Sequence, residues 1–284
     1  MGLPMAINLA KAGYQVRGFD KREAAMNMLV ENGGSASTGV AEACSGAKML
    51  LLMVVNADQA TDILFADRAL GALEPGSTIC LMSTCPPGAV ETLAERIGEA
   101  GHAFVDCPVS GGVAGAEAAT LTMMAACSSE LFAQLRPALT AMGSNLYHVG
   151  EKPGQGAVVK SINQLLCGVH LAAAAEAMAL GAKVGLDRTV LLEIVGGSAA
   201  SSWMLRDRGP RLLEADPSIT STVDIFVKDL GIVMEAGRDA KAAVPLAALA
   251  HQLFLAASGA GDGAADDSQV IRAYQRLNAL DQRD

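Results

Sequence analysis

The chain has 284 residues, enough for two domains of ordinary size with a sizeable core, and 51% of them are apolar. A net charge of −9 argues against a nucleic-acid partner, whose phosphates need a basic surface. The longest apolar run, Met49 to Val55, is short of the about 20 residues of a bilayer span, so no membrane partner and a cytoplasmic location are expected.

Residues Met1 to Gly13 read as the helix that follows a glycine-rich turn, where a diphosphate rests on the amides of the helix N-terminus. Of the pattern G-x-G-x-x-G only the last glycine, Gly2, stands in the chain, and the buried strand ahead of it does not. The expectation is that Met1 is the internal methionine of such a motif and that translation begins upstream. The alternative is a module that keeps the fold but binds cofactor poorly. Tyr14 to Asp20 then reads as a strand ending in an acid about 20 residues past Gly2, where ribose hydroxyls would be held.

Met49 to Val55, Thr78 to Met82, Ala103 to Asp106, Leu121 to Ala126 and Leu146 to Val149 read as further strands. Helical patterns alternate with them, and Gly33-Gly34, Asn56-Ala57-Asp58, Glu74-Pro75-Gly76 and Cys85-Pro86-Pro87-Gly88 mark the turns. The alternation predicts an α/β, Rossmann-type domain over residues 1–149 with a parallel sheet whose first strand is missing. From Gln155 the chain is apolar at helical spacing until Gly185. Helical patterns at 187–197, 201–215, 222–239, 245–257 and 267–281 complete an all-α domain over residues 150–284, several opened by Asp, Ser or Thr as N-caps. Its alanine-rich first helix suits close helix packing, in a monomer core or in a homodimer or homotetramer.

Two constellations carry chemistry. Asp106-Cys107-Pro108-Val109-Ser110-Gly111-Gly112 leaves a strand at the end of the sheet where ligands bind. Ser110 offers a hydroxyl there, and Gly111 and Gly112 let backbone amides approach a carboxylate. Lys160, Asn163 and Gln164 stand at i, i+3 and i+4 on a helix face that continues through apolar Cys167, Leu171 and Met178. A lysine in a buried stripe is costly as an unpaired cation and can act as a general acid or base near neutral pH. The six cysteines form no C-x-x-C pair, the four histidines are scattered, and no metal is expected.

These residues resemble the β-hydroxyacid dehydrogenases over essentially the whole chain. The carriers are Met1 to Ala6, Ser83-Thr84-Cys85-Pro86-Pro87, Ser110-Gly111-Gly112, Lys160 with Asn163, and Phe226-Val227-Lys228-Asp229-Leu230. The resemblance implies an oxidoreductase in which Lys160 is the catalytic acid/base and Ser110, Gly111, Gly112, Asn163 and Gln164 hold a small hydroxy acid. It further implies a cofactor bound by Gly2, Leu3, Pro4, Asp20, Val55, Asn56 and Thr84, with Lys228 closing over cofactor or substrate. Asp20 would repel a 2′-phosphate, so NAD is the expected cofactor, and Lys21-Arg22 keep NADP as the alternative. Asn163-Gln164, where many members carry two asparagines, resembles the branch that oxidises the C2 hydroxyl of L-threonate, as do Ser198 to Met204 and Asp266 to Val270. The alternatives within the family are 3-hydroxyisobutyrate oxidation and reduction of a small semialdehyde.

Overall fold

The structure is a computed structural model and describes residues 1–280. The chain divides into two compact units, Met1–Lys160 and Ser161 onward. The first unit alternates helices and strands: α1 (Gly2–Lys11), β1 (Arg17–Gly18), α2 (Glu23–Glu31), β2 (Ser35–Ala36), α3 (Val40–Cys44), β3 (Met49–Leu52), α4 (Ala57–Thr61), α5 (Ala69–Ala72) and β4 (Thr78–Leu81). It continues with α6 (Pro87–Glu99), β5 (Ala103–Asp106), β6 (Val109–Ser110), α7 (Gly112–Glu117), β7 (Thr122–Ala126), α8 (Ser129–Thr140) and β8 (Asn145–Gly150).

Strands β3, β4 and β5 are parallel, with Leu52 beside Leu81 and Leu81 beside Asp106. Strand β4 is buried along its whole length, which is why it reads as an apolar run without alternation. The sheet is not parallel throughout, because β7 runs antiparallel to β5 and β6 before taking β8 as a parallel neighbour. Successive residues of β4 face opposite sides. Cys80 and Met82 enter one core with Met5, Leu9 and Leu139, while Ile79 and Leu81 enter another with Leu64, Val90 and Ile97.

The strand expected from Tyr14 to Asp20 is only two residues long. Among the described residues, β1 pairs only with β2 and β3 only with β4, so the two form edges of separate sheets. A strand without a neighbour on one edge has few ladder bonds to keep it regular. Val16, Met49, Leu51 and Met53 nevertheless pack against the same core as Met5 and Leu9.

Helix α9 (Gln155–Lys183) begins in the first unit and continues into the second, where α10 (Arg188–Gly196), α11 (Trp203–Leu212), α12 (Val223–Asp239), α13 (Pro245–Ala257) and α14 (Ile271–Leu277) follow. Asp187 and Ser202 cap α10 and α11 by accepting backbone N–H bonds. The helix expected over 267–281 is divided into a 3-10 turn, Asp267–Val270, and α14; residue 281 lies outside the described residues. At 29 residues α9 is long and apolar enough to span a bilayer, which the Met49 to Val55 run did not anticipate. Its Leu171, Ala175 and Met178 instead join Leu230, Phe254 and Tyr274 in the core of the second unit. The alanines on that face let neighbouring helices approach closely.

Candidate active site

In the first unit, α1 opens at Gly2 with no cap from the Met1 side chain, and Leu3 and Pro4 complete that turn half-buried. Asp20 follows β1, and both its carboxylate oxygens are engaged by Arg22. The Arg22 Nε lies 3.1 Å from Oδ1, Nη2 3.0 Å from Oδ2, and the Arg22 backbone N–H donates to Oδ1 at 2.9 Å. The Arg22 guanidinium holds the Asp20 carboxyl below its ordinary range. The acid is therefore present where the pattern placed it, but it shares its charge with a neighbouring cation. Phe19, Thr38, Gly39, Val40 and Glu42 line an open cavity of about 460 Å³.

The ends of β3 and β4 bring Val55, Asn56 and Thr84 into one region. The Val54 N–H donates to the Ser83 hydroxyl at 2.9 Å, tying the segment after β3 to the segment after β4. Asn56 caps α4 by accepting the Gln59 N–H at 2.9 Å, and the Val55 N–H donates to the Gln59 side chain at 3.0 Å. The capping asparagine after a buried strand was readable, whereas the bridging role of Ser83 depends on strand register.

Ser110 ends β6 opposite Thr122 of β7, and the chain turns at once into α7. Gly111 at φ 133° and Gly112 at φ 65° both occupy conformations that side chains disfavour. The turn therefore needs two glycines, and it presents Ser110 and two amides without an intervening Cβ. Asp106, four residues earlier, is buried and accepts the Ala157 N–H at 2.9 Å. Burial pushes its carboxyl up to about 6, while N–H groups of Ala157, Gly154 and Gly156 oppose that rise. Lys160 lies one turn beyond Ala157 on α9 and is 6% exposed. The apolar stripe in the sequence anticipated that burial.

In the second unit, Asn163 is half-buried and Gln164 is buried. The Gln164 Nε2 donates to Asp229 Oδ2 on α12. Lys228 Nζ lies 2.6 Å from Asp229 Oδ1, an ion pair whose angle leaves that oxygen without an aligned donor. Gln164, expected to face substrate, thus commits its amide nitrogen to a buried carboxylate. Asp229 carries no role in the sequence pattern, although an acid within the run Phe226 to Leu230 is a usable signal. The Asp266 to Val270 segment forms a clasp: Arg208 pairs with Asp267, and Arg211 pairs with Asp266, which also accepts from Thr220 and Ser268.

The chain thus joins an α/β unit to a long helix that carries the buried Lys160 and, three residues on, Asn163. Residues 1–150 match the family model of the NAD binding domain of 6-phosphogluconate dehydrogenase. Residues 154–274 match that of the NAD-binding domain of NADP-dependent 3-hydroxyisobutyrate dehydrogenase. The chain belongs to the β-hydroxyacid dehydrogenase family of NAD(P)-dependent enzymes. It is 42% identical to L-threonate dehydrogenase of Cupriavidus necator over 96% of this chain and 93% of that one. With 3-hydroxyisobutyrate dehydrogenase of Pseudomonas aeruginosa it shares 36% identity over 89% and 88%. The crystal structure of 3-hydroxyisobutyrate dehydrogenase from Salmonella typhimurium superposes with a TM-score of 0.91 at 37% identity, covering 95% of each chain.

Proposed function

We propose that this chain oxidises the C2 hydroxyl of L-threonate to the 2-oxo acid, with NAD as acceptor. The observation that carries the substrate is the near full-length, 42% identity with L-threonate dehydrogenase of Cupriavidus necator. Residues 1–149 bind the dinucleotide, and residues 150–284 supply substrate contacts and the oligomer interface. The first-turn amides of α1, which the Met1 side chain does not cap, and the carboxylate of Asp20 fit a diphosphate and a ribose, with Leu3, Pro4, Val55, Asn56 and Thr84 as further cofactor contacts. NAD supplies the hydride acceptor when bound. Arg22 on Asp20 moderates the repulsion of a 2′-phosphate, which keeps NADP as a lesser acceptor.

Lys160 in its neutral form takes the C2 hydroxyl proton, and in its protonated form returns it in the reverse direction. Ser110 and the Gly111 and Gly112 amides hold the carboxylate, while Asn163 holds a hydroxyl. Gln164 adds to the substrate contacts, its orientation set by Asp229, and Lys228 closes over the cofactor or substrate. The protein works in the cytoplasm.

Apolar side chains left exposed on the second unit support an oligomer, a homodimer or homotetramer. These include Ile162 and Leu166 on α9, Val190 and Ile194 on α10, and Leu246 and Leu249 on α13. Absorbance at 340 nm with NAD tests the substrate: kcat/KM is expected to be highest for L-threonate. A higher value for 3-hydroxyisobutyrate, which the Pseudomonas aeruginosa relative's name favours, overturns the threonate assignment.

A further inference from the structure

We infer that Asp106 is a positioning residue that fixes the helix carrying Lys160 to the end of the strand leading into the Ser110 turn. The inference rests on the reading of Lys160 as proton acceptor. Asp106 closes β5 between Leu81 of β4 and Ala126 of β7, and is 1% exposed. Its Oδ2 accepts the Ala157 N–H at 2.9 Å, and the nearby backbone N–H groups of Gly154 and Gly156 favour the charged carboxylate. The first amides of a helix have no partner within it. Here the Ala157 amide is taken by a side chain from another element, so the cap is also a tie between strand and helix.

The closeness depends on Gly156. A Cβ at that position would stand 2.6 Å from the Met124 carbonyl oxygen and 2.8 Å from that of Asp106, both backbone atoms that cannot yield. The start of α9 therefore rests directly on the end of β5 and the middle of β7. Lys160 follows Ala157 by three residues, about 4.5 Å along the helix axis, so a shift at the tie passes directly to the lysine. In the other direction, Cys107, Pro108 and Val109 lead to Ser110, which the β6–β7 pairing holds opposite Thr122. The carboxylate thus ties the start of the lysine-bearing helix to the strand end from which the chain runs to the serine turn. A charge is a costly means of joining two elements, since burial raises the carboxyl to about 6 even with backbone N–H groups stabilising its charged form. Its retention at full burial fits a demand for accurate placement.

The test measures kcat for threonate oxidation, the NAD dissociation constant and amide hydrogen exchange at Gly156 and Ala157, well below each variant's melting temperature. Asp106→Ala and Gly156→Ala are expected to lower kcat about 30- to 100-fold, because misplacement near 1 Å costs on that order. NAD affinity stays within about twofold, and exchange at the two amides accelerates. Asp106→Asn keeps one acceptor oxygen and is expected to recover part of the loss, at about 5- to 10-fold below wild type. It carries the test if Asp106→Ala does not fold. A kcat within about threefold of wild type in Asp106→Asn and in a folded Asp106→Ala or Gly156→Ala, with Lys160→Ala inactive, refutes the inference alone. Normal turnover in Lys160→Ala overturns the assigned base, and the inference with it.

Discussion

Lys160 is the residue on which the chemistry turns, and its burial on α9 is the condition that makes a lysine useful as a base. Lys160→Ala is expected to lower kcat by about 10² to 10⁴, the usual contribution of a positioned acid or base, with the NAD dissociation constant unchanged. A loss of NAD affinity in step with kcat would contradict the assigned role. Asp106 gives a second prediction. Its folded pKa of about 6 stands above the ordinary 3.8, so the stability linked to its protonation is fully present below pH 3.8 and is lost as pH rises through 6. The span corresponds to about 3 kcal/mol. Wild-type stability is therefore expected to gain from this group between pH 7 and pH 5, and Asp106→Asn to lose that gain; denaturant melts at the two pH values measure it, and an identical pH response in both proteins would contradict it. The lysine was legible because a cation in an apolar stripe is a local pattern. The Arg22 grip on Asp20 and the Gln164–Asp229 bond were not, because sequence spacing does not settle which partner a polar side chain takes in the fold.

Most elements followed from local signals. Ala103–Asp106 came out as expected, and α9, α10 and α12 end within a few residues of their patterns, since apolar runs and caps act over one turn or one strand. The tract after Tyr14 did not, because strand length depends on having neighbours, and β1 has one on a single edge. The 267–281 pattern gave way to a 3-10 turn for a tertiary reason. Asp267 is fully buried against Arg208, with Nε at 2.9 Å, and Asp266 accepts from Arg211 at 3.1 Å, so the turn is shaped by charges on α11. Asp267→Ala would leave the Arg208 guanidinium, also near Trp203, with the part-exposed Asp207 as its remaining carboxylate partner. Because Asp207 still offsets the charge, the loss is expected to fall below the about 3–5 kcal/mol of a fully stranded buried ion, and to be seen as a lower melting temperature. An unchanged melting temperature would show that the clasp is dispensable.

At the scale of the whole molecule, family membership accounts for an α/β unit followed by a helical one, and the exposed apolar residues of the second unit account for the proposed assembly. Light scattering is expected to give two or four times the 29.0 kDa of the chain, and Ile194→Lys with Leu249→Lys to shift the mass toward 29.0 kDa. A monomer in the unsubstituted protein would overturn the assembly. The chemistry itself is tested most directly with L-threonate deuterated at C2, supplied with NAD and followed by mass spectrometry of the reduced cofactor. Reduced cofactor carrying one deuterium is the predicted result. Protein that binds NAD but forms no reduced cofactor, or forms it without deuterium, would contradict hydride transfer from C2.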